Sequence, residues 1–179
     1  MTEIRHHSEI PIVLMGYYNQ MLQFGVEKFL YMCQHSGVDG LIIPDLPMDI
    51  YEEEYKYLFD QAGLTMTFLV TPQTSENRII KADKLSSGFL YVVSSSSITG
   101  KSKDIQDGQI TYFNKLSDMS LESPKLIGFG IHDKQTFNKA CDYSNGAIIG
   151  SAFIRAIAED SGTGSLEEKV GLFVRKVKE

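Results

Sequence analysis

The segment GAIIGSAFIR, residues 146–155, starts as an apolar run and turns at Gly150 and Ser151 into a helical pattern. The segment KLIGFGIHD, residues 125–133, repeats this order, with its corner at Gly130. Both apolar runs are too short for helices and lack polar/apolar alternation, which is typical of strands buried on both faces. Two such glycine corners in consecutive segments indicate that one ligand is held between them.

The same alternation of short apolar runs and amphipathic stretches extends along the chain. The predicted strands are IPIVLMGY (10–17), GLIIPD (40–45), TMTFLV (65–70), GFLYVVS (88–94), KLIGFG (125–130) and GAIIGS (146–151). The predicted helices cover residues 20–36, 50–62, 75–85, 109–120, 133–141, 152–159 and 165–178. Because helices separate successive strands, the strands are expected to pair in parallel through right-handed crossovers. The sequence therefore predicts an α/β fold.

Polar residues and glycines mark several helix ends. Ser75 and Asp133 are predicted N-caps. Asp49 and Glu52 form a D-x-x-E pattern that is typical of a helix start. Gly37 and Gly63 stand where helix C-caps are expected.

Two parallel architectures fit this order, an open doubly wound sheet and a closed (β/α) barrel. An open sheet that binds a dinucleotide carries G-x-G-x-x-G after its first strand, whereas the first strand here ends in MGYYNQM. The glycine corners instead follow the last two strands, where barrels often build a phosphate site. We therefore expect a single (β/α) barrel domain over residues 1–179. About six of the eight βα units of a barrel are present, so about two further units are expected upstream of Met1.

Composition and charge argue against several classes of function. The chain has 179 residues, of which 42% are hydrophobic, enough for the core of one domain. A formal charge of −6 and 17 scattered lysine and arginine residues argue against nucleic-acid binding. No apolar run reaches the roughly 18 residues of a membrane span, and no signal peptide is apparent, so a cytoplasmic protein is expected. Cys33 and Cys141 show no metal-ligand spacing and are predicted to be small core residues.

The strand ends supply the candidate site, because the loops after parallel barrel strands open at one end of the barrel. Gly130, Gly150 and Ser151 predict a phosphate cradle. A phosphate oxygen approaches a backbone N–H group to about 2.9 Å only where no Cβ obstructs it, and a helix N-terminus adds partial positive charge. The Ser151 hydroxyl is an additional donor. Close packing of helix on strand is the alternative reason for glycine at each corner.

A long polar segment, SSSSITGKSKDIQDG (94–108), exceeds the usual connection of about 4 to 6 residues. It is interpreted as a lid in which Thr99 and Gly100 close on the ligand, with an ordinary surface loop as the alternative. Tyr17 and Tyr91 are predicted to line a pocket for an aromatic ligand.

Asp45 lies at a strand end between two prolines in LIIPDLPMD. Two interpretations are equally supported: a functional carboxylate, or a carboxylate that accepts loop N–H groups and holds the turn. His132, beside the proposed cradle, has no ligand spacing and is a weak candidate.

From about residue 10 to 158, in one register, the chain resembles the tryptophan synthase alpha subunit. The segments that carry the resemblance are PIVLMGYYN, GVDGLIIPDLP, GFLYVVSSSSITG, LIGFGI and GAIIGSA. The resemblance implies a (β/α) eight-stranded barrel that cleaves indole-3-glycerol phosphate, by a retro-aldol reaction, into indole and glyceraldehyde 3-phosphate. It implies no cofactor and no metal in this subunit. It also implies an alpha2beta2 heterotetramer, in which indole passes through a tunnel to a beta subunit that carries pyridoxal phosphate.

Position by position, the resemblance also implies site roles. The implied phosphate-binding residues are Gly100, Gly130, Gly150 and Ser151. The implied indole-pocket residues are Tyr17, Tyr91, Phe129 and Ile148. Thr99 matches the lid threonine that orients a catalytic aspartate. Asp45 matches an aspartate that supports structure and subunit communication rather than proton transfer.

One departure from the family pattern bears on catalysis. The family's catalytic glutamate and aspartate belong to an E-x-G-x-P-x-S-D-P-x-A-D-G-P segment, which the 179 residues do not contain. Loss of an acid–base group slows a reaction by about 10² to 10⁴-fold, so this exact chain, if complete, is expected to cleave poorly.

Two alternative functions stay open. One is a non-catalytic module that binds phosphate and indole and regulates a beta-type partner. The other is a different sugar-phosphate barrel isomerase or epimerase, which polar pocket walls would favour.

Overall fold

The computed structural model describes residues 1–94, 107–128, 130–158 and 165–178. The chain divides into two compact units. Unit 1 comprises Met1–Val70 and Ser75–Leu90, and unit 2 comprises Thr71–Thr74 and Tyr91–Glu179. The single barrel domain over residues 1–179 stays a prediction.

Unit 1 contains a three-stranded parallel sheet. Its strands lie in the order β1 (Val13–Met15), β2 (Gly40–Ile42) and β3 (Thr65–Thr67). The short strand β4 (Leu69–Val70) follows β3 in the chain. The helices are α1 (Thr2–Arg5), α2 (Tyr18–Phe24), α3 (Val26–His35), α4 (Met48–Ile50), α5 (Lys56–Ala62) and α6 (Glu76–Leu85), with a π-helical turn at Tyr51–Tyr55 between α4 and α5.

Unit 2 contains the glycine corners. Strand β5 (Leu90–Val93) leads into it and lies beside β6 (Lys125–Gly128), which pairs in parallel with β7 (Gly146–Ile148). The helices are α7 (Asp107–Asp118), α8 (Lys134–Cys141), α9 (Ser151–Ala158) and α10 (Leu166–Lys178). Helix α10 packs on α8 and α9. Across the described ranges, every helix is too short or too polar to cross a membrane.

Each unit has its own apolar core. In unit 1 the Tyr51 ring contacts the rings of Phe59 and Phe68 edge-on, at centroid distances of 5.2 and 5.3 Å. Such a pair contributes about 0.5–1.5 kcal/mol beyond the burial of its area. In unit 2, Phe113 on α7 and Ile127 on β6 are fully buried. The apolar runs therefore supply the core as predicted.

The parallel pairing and the order of strands and helices are confirmed, but two predicted segments are each divided in two. The helix predicted at 20–36 is two helices, because Gly25 at φ +90° ends α2 and precedes α3. The strand predicted at 65–70 is interrupted at Phe68. There the Phe68 N–H donates to the Ser86 hydroxyl at 3.1 Å, so a side chain takes the place of a neighbouring strand.

The predicted helix ends are partly confirmed. Ser75 and Asp133 are the N-caps of α6 and α8, and Gly63 at φ +64° is the C-cap of α5. The C-cap of α3 is Ser36, and Gly37 at φ +76° follows it, so the prediction for Gly37 is one residue too late. The D-x-x-E prediction at Asp49 is wrong, because α4 starts at Met48 with Pro47 as its N-cap. The Asp49 carboxylate instead accepts a bond from Lys81 Nζ at 2.5 Å, which ties α4 to α6.

Candidate functional site

The register of β6 and β7 brings the two glycine corners together. Gly128 pairs with Ile148, and each is the last residue of its strand. Gly130 and Gly150 each lie two residues beyond these partners in the chain, so both corners follow strand ends at the same edge of the sheet. This is the arrangement that the two sequence segments predicted.

Neither corner needs glycine to make room for a described neighbour. A Cβ built on Gly130 or on Gly150 meets no described atom within 4 Å, and both residues are exposed. Gly130 has φ +80°, a conformation that residues with a Cβ rarely adopt. Gly150 lies outside that range. Helix-to-strand packing, the alternative explanation for these glycines, therefore lacks support among the described residues.

The second corner opens directly into helix α9. Ser151 is the first residue of this eight-residue helix, which makes Gly150 its N-cap. The Gly150 carbonyl accepts the Ile154 N–H at 3.1 Å, as the first intrahelical bond. The N–H groups of the first turn have no intrahelical acceptor, and the helix dipole places partial positive charge there. An anion that approaches Ser151 therefore meets several donors at once.

At position 128, the last residue of β6, glycine is required for a different reason. A Cβ at this position would lie within 2.6 Å of Cζ in the Tyr91 ring, closer than real side chains approach. Tyr91 is 7% exposed, and the hydroxyl end of its ring lies against the backbone of β6 at Gly128. Burial raises the pKa of the Tyr91 hydroxyl. Tyr91 contacts Gly128, with which Ile148 pairs, so two of the predicted indole-pocket residues adjoin one strand end.

The loop after the first corner is held by side chains. His132 Nδ1 lies 2.8 Å from the Gly130 carbonyl oxygen. Asp133 caps α8 by accepting the Thr136 N–H at 2.8 Å. This bond, with a second from the Thr136 hydroxyl, lowers the pKa of Asp133. Sequence reasoning gave His132 little weight, although its position two residues after a corner glycine was the available signal.

In unit 1, Asp45 holds a turn. Its Oδ1 accepts the Tyr18 N–H at 2.8 Å, which fixes the first turn of α2 to the loop after β2. Of the two interpretations left open, this bond favours the structural one.

Tyr17, the N-cap of α2, is 64% exposed. It lines a cleft of about 330 Å³ together with apolar side chains that include Met15, Phe24 and Phe29. Its surroundings within unit 1 are therefore mainly apolar, and its role in an indole pocket stays a prediction.

Three predicted site residues, Thr99, Gly100 and Phe129, lie outside the described residues. Most of the predicted lid, 94–108, lies outside them as well. Its last two residues belong to α7, which starts at Asp107. The roles of these residues stay predictions.

Comparison with known proteins now decides the family. The sequence model of the tryptophan synthase alpha chain matches residues 1–179. The chain belongs to the tryptophan synthase alpha-chain family. It is 52% identical over 175 residues to the tryptophan synthase alpha chain of Christiangramia forsetii, covering 98% of this chain and 66% of that one. It is 51% identical over 171 residues to that of Flavobacterium johnsoniae, covering 96% and 67%.

Solved structures agree with the sequence comparison. The tryptophan synthase alpha subunit of Pyrococcus furiosus superimposes with a TM-score of 0.82 at 30% identity, over 99% of this chain and 69% of that one. The predictions of the family and of an α/β fold of the (β/α) barrel type are thus confirmed. The chain spans about two thirds of the length of these relatives.

Proposed function

We propose that this chain acts in the cleavage of indole-3-glycerol phosphate to indole and glyceraldehyde 3-phosphate, and that it holds the phosphate at the two glycine corners. The observation that carries the proposal is the pair of open glycines, Gly130 and Gly150, at adjacent ends of parallel strands. Membership of the tryptophan synthase alpha-chain family supports the choice of reaction.

The phosphate end of the substrate suits this edge of unit 2. Without a Cβ, backbone N–H groups at the corners can approach a phosphate oxygen to about 2.9 Å. The first turn of α9 adds further N–H donors and the Ser151 hydroxyl. The donors of this turn belong to a formed helix, so little ordering of α9 is required on binding.

The apolar surroundings support an aromatic ligand rather than a bare sugar phosphate. Tyr91 is buried against Gly128, and Ile148 is half-buried beside the same glycine. In unit 1, Tyr17 lies among mainly apolar side chains. An isomerase acting on a polyol would need polar walls, so that alternative is less favoured.

The chemistry requires two proton transfers. As the carbon–carbon bond breaks, a hydroxyl on the glycerol chain loses its proton to become the aldehyde, and the indole ring carbon gains one. Asp45 already accepts the Tyr18 N–H, so its geometry favours a structural role over that of a base. The family's acid–base motif does not occur in the 179 residues, so we expect slow cleavage by this chain alone.

Calorimetric titration of the chain with indole-3-glycerol phosphate, alongside an indole-release assay, tests the proposal. We expect saturable binding, weakened roughly 2- to 10-fold by Ser151→Ala, because one hydrogen bond to the phosphate is lost. Ser117→Ala is the matched control, since the Ser117 hydroxyl donates within α7 to the Phe113 carbonyl at 3.0 Å. It should leave the dissociation constant unchanged.

The outcomes separate the candidate functions. Absence of binding would overturn the proposal. Binding without indole release would favour the non-catalytic module, and rapid release would show that the missing motif is unnecessary.

We further propose that the partner is a tryptophan synthase beta chain in an alpha2beta2 heterotetramer, with pyridoxal phosphate confined to the beta chain. Family membership supports this proposal. Sedimentation of the chain mixed with a beta chain from a related bacterium should give a species heavier than either component. Independent sedimentation of the two would contradict it.

A further inference from the structure

The Gly130 carbonyl is held by a side chain two residues further along the chain. His132 Nδ1 lies 2.8 Å from the Gly130 oxygen. A carbonyl oxygen only accepts, so Nδ1 must carry the hydrogen in this contact. The other ring nitrogen, Nε2, lies 3.4 Å from an oxygen of the Asp133 carboxylate.

We propose that His132 is a positioning residue for phosphate binding, which fixes the backbone of the Gly130 corner by donating to its carbonyl. This inference rests on the proposed function, because it concerns how the same cradle is kept ready for its ligand. His132 acts here through Gly130, and no contact between its ring and the ligand is required.

The corner needs such support because glycine has the least restricted backbone of any residue. Gly130 is exposed, has φ +80°, and carries no side chain that could anchor it. The peptide unit between Gly130 and Ile131 is planar, so holding its carbonyl also sets the direction of the Ile131 N–H. Donors that are already oriented bind an anion with less loss of conformational freedom.

His132 is itself anchored to helix α8. Its backbone N–H and that of Asp133 both lie 3.1 Å from the Thr136 hydroxyl oxygen. Thr136 is 6% exposed and sits in the capping box at the start of α8. His132 therefore connects the exposed Gly130 corner to the capped start of α8.

A general role in stability is not indicated by the geometry. The bond spans only two residues, and 34% of the His132 side chain is exposed. Its loss should alter the corner without unfolding unit 2.

The test measures two ligands separately, glycerol 3-phosphate for the phosphate half and indole for the aromatic half. We expect His132→Ala to raise the dissociation constant of glycerol 3-phosphate about 3- to 10-fold, which is the effect of one lost hydrogen bond. The dissociation constant of indole should not change. His132→Asn should restore affinity to within about twofold, because its amide nitrogen occupies the place of Nδ1 and can donate to the same carbonyl.

His35 provides the matched control. Its Nδ1 lies 2.9 Å from the Tyr31 carbonyl oxygen on α3 of unit 1, a similar local bond far along the chain. His35→Ala should change neither dissociation constant. Urea unfolding of all variants should give nearly equal midpoints.

Three results would overturn the inference. The first is that His132→Ala binds glycerol 3-phosphate normally. The second is that His132→Ala weakens the binding of glycerol 3-phosphate and of indole equally. The third is that His132→Asn does not restore the affinity for glycerol 3-phosphate. If the unmodified chain fails to bind glycerol 3-phosphate, the proposed function fails and this inference with it. If only the variants fail to differ, the proposed function stands.

Discussion

Strand β6 and the corner that follows it contain two glycines, Gly128 and Gly130, that lack a side chain for opposite reasons. At Gly128 the Tyr91 ring occupies the space that a Cβ would need. Gly40 in unit 1 is similar, because a Cβ there would lie 3.0 Å from the Thr65 carbonyl oxygen. At Gly130, and at Gly150 after β7, that space holds no described atom. Where a neighbouring group fills the place of the absent Cβ, the glycine allows close packing. Where that place is open at a strand end, it is available to a ligand.

The largest effect that tests this contrast is expected from Gly128→Ala. The added methyl group collides with a buried ring, and overpacking of this kind destabilises a protein by about 1–3 kcal/mol. Urea unfolding followed by circular dichroism measures the change. A second substitution, Tyr91→Leu, removes the ring, so the double variant should recover part of the loss in a double-mutant cycle.

The comparison of Gly128 with Gly130 would be contradicted if Gly128→Ala left the free energy of unfolding unchanged. It would also be contradicted if the effects of the two substitutions on that free energy were additive. Either result would mean that the ring and the glycine are not in the contact described. Gly171→Ala on α10 is the control, because among the described atoms its Cβ would meet only the flexible end of Arg175, at 3.6 Å. There alanine should stabilise slightly, by up to about 1 kcal/mol, as a better helix former.

The amino-acid sequence predicts the order of strands and helices because apolar periodicity records which faces are buried. It does not distinguish Gly128 from Gly130, because the neighbour that decides, Tyr91, lies more than thirty residues away in the chain. It also predicts no break at Gly25, since an isolated glycine in a helical pattern is often tolerated. His132 is only a weak candidate from the sequence, because its contact with the Gly130 carbonyl depends on a backbone conformation that residue spacing does not reveal.

Gly150→Ala should show the reverse balance, with a smaller effect on stability and a larger one on binding. The backbone at Gly150 suits alanine, so the cost should stay below about 1 kcal/mol, as for a weaker N-cap. The methyl group intrudes where the phosphate oxygen is expected, and about tenfold weaker binding of glycerol 3-phosphate should follow. Calorimetry and urea unfolding on the same preparation measure both. Unchanged binding would remove Gly150 from the cradle and return it to a purely structural role.

The smallest expected effect on stability concerns Asp133, the N-cap of α8, which follows the Gly130 corner in the chain. Its pKa is lowered mainly by the Thr136 N–H bond, and less by the Thr136 hydroxyl and the neighbouring charges of His132 and Lys176. A carboxyl group with a lower pKa in the folded state contributes stability above its unfolded pKa of about 3.9, and loses it as the pH falls through the folded value. Asp133→Asn keeps a good N-cap without the charge, so it isolates this contribution.

At pH 7 the unmodified chain should be more stable than Asp133→Asn by no more than about 0.5 kcal/mol, because 42% of the Asp133 side chain is exposed and solvent screens its charge. The difference should vanish as the pH is lowered below the folded pKa. Urea midpoints measured from pH 7 down to a pH at which Asp133 is protonated in the folded chain follow it. A difference that persists there would show that the cap acts through geometry alone, and the first corner would then depend on His132 and Thr136 rather than on the charge behind them.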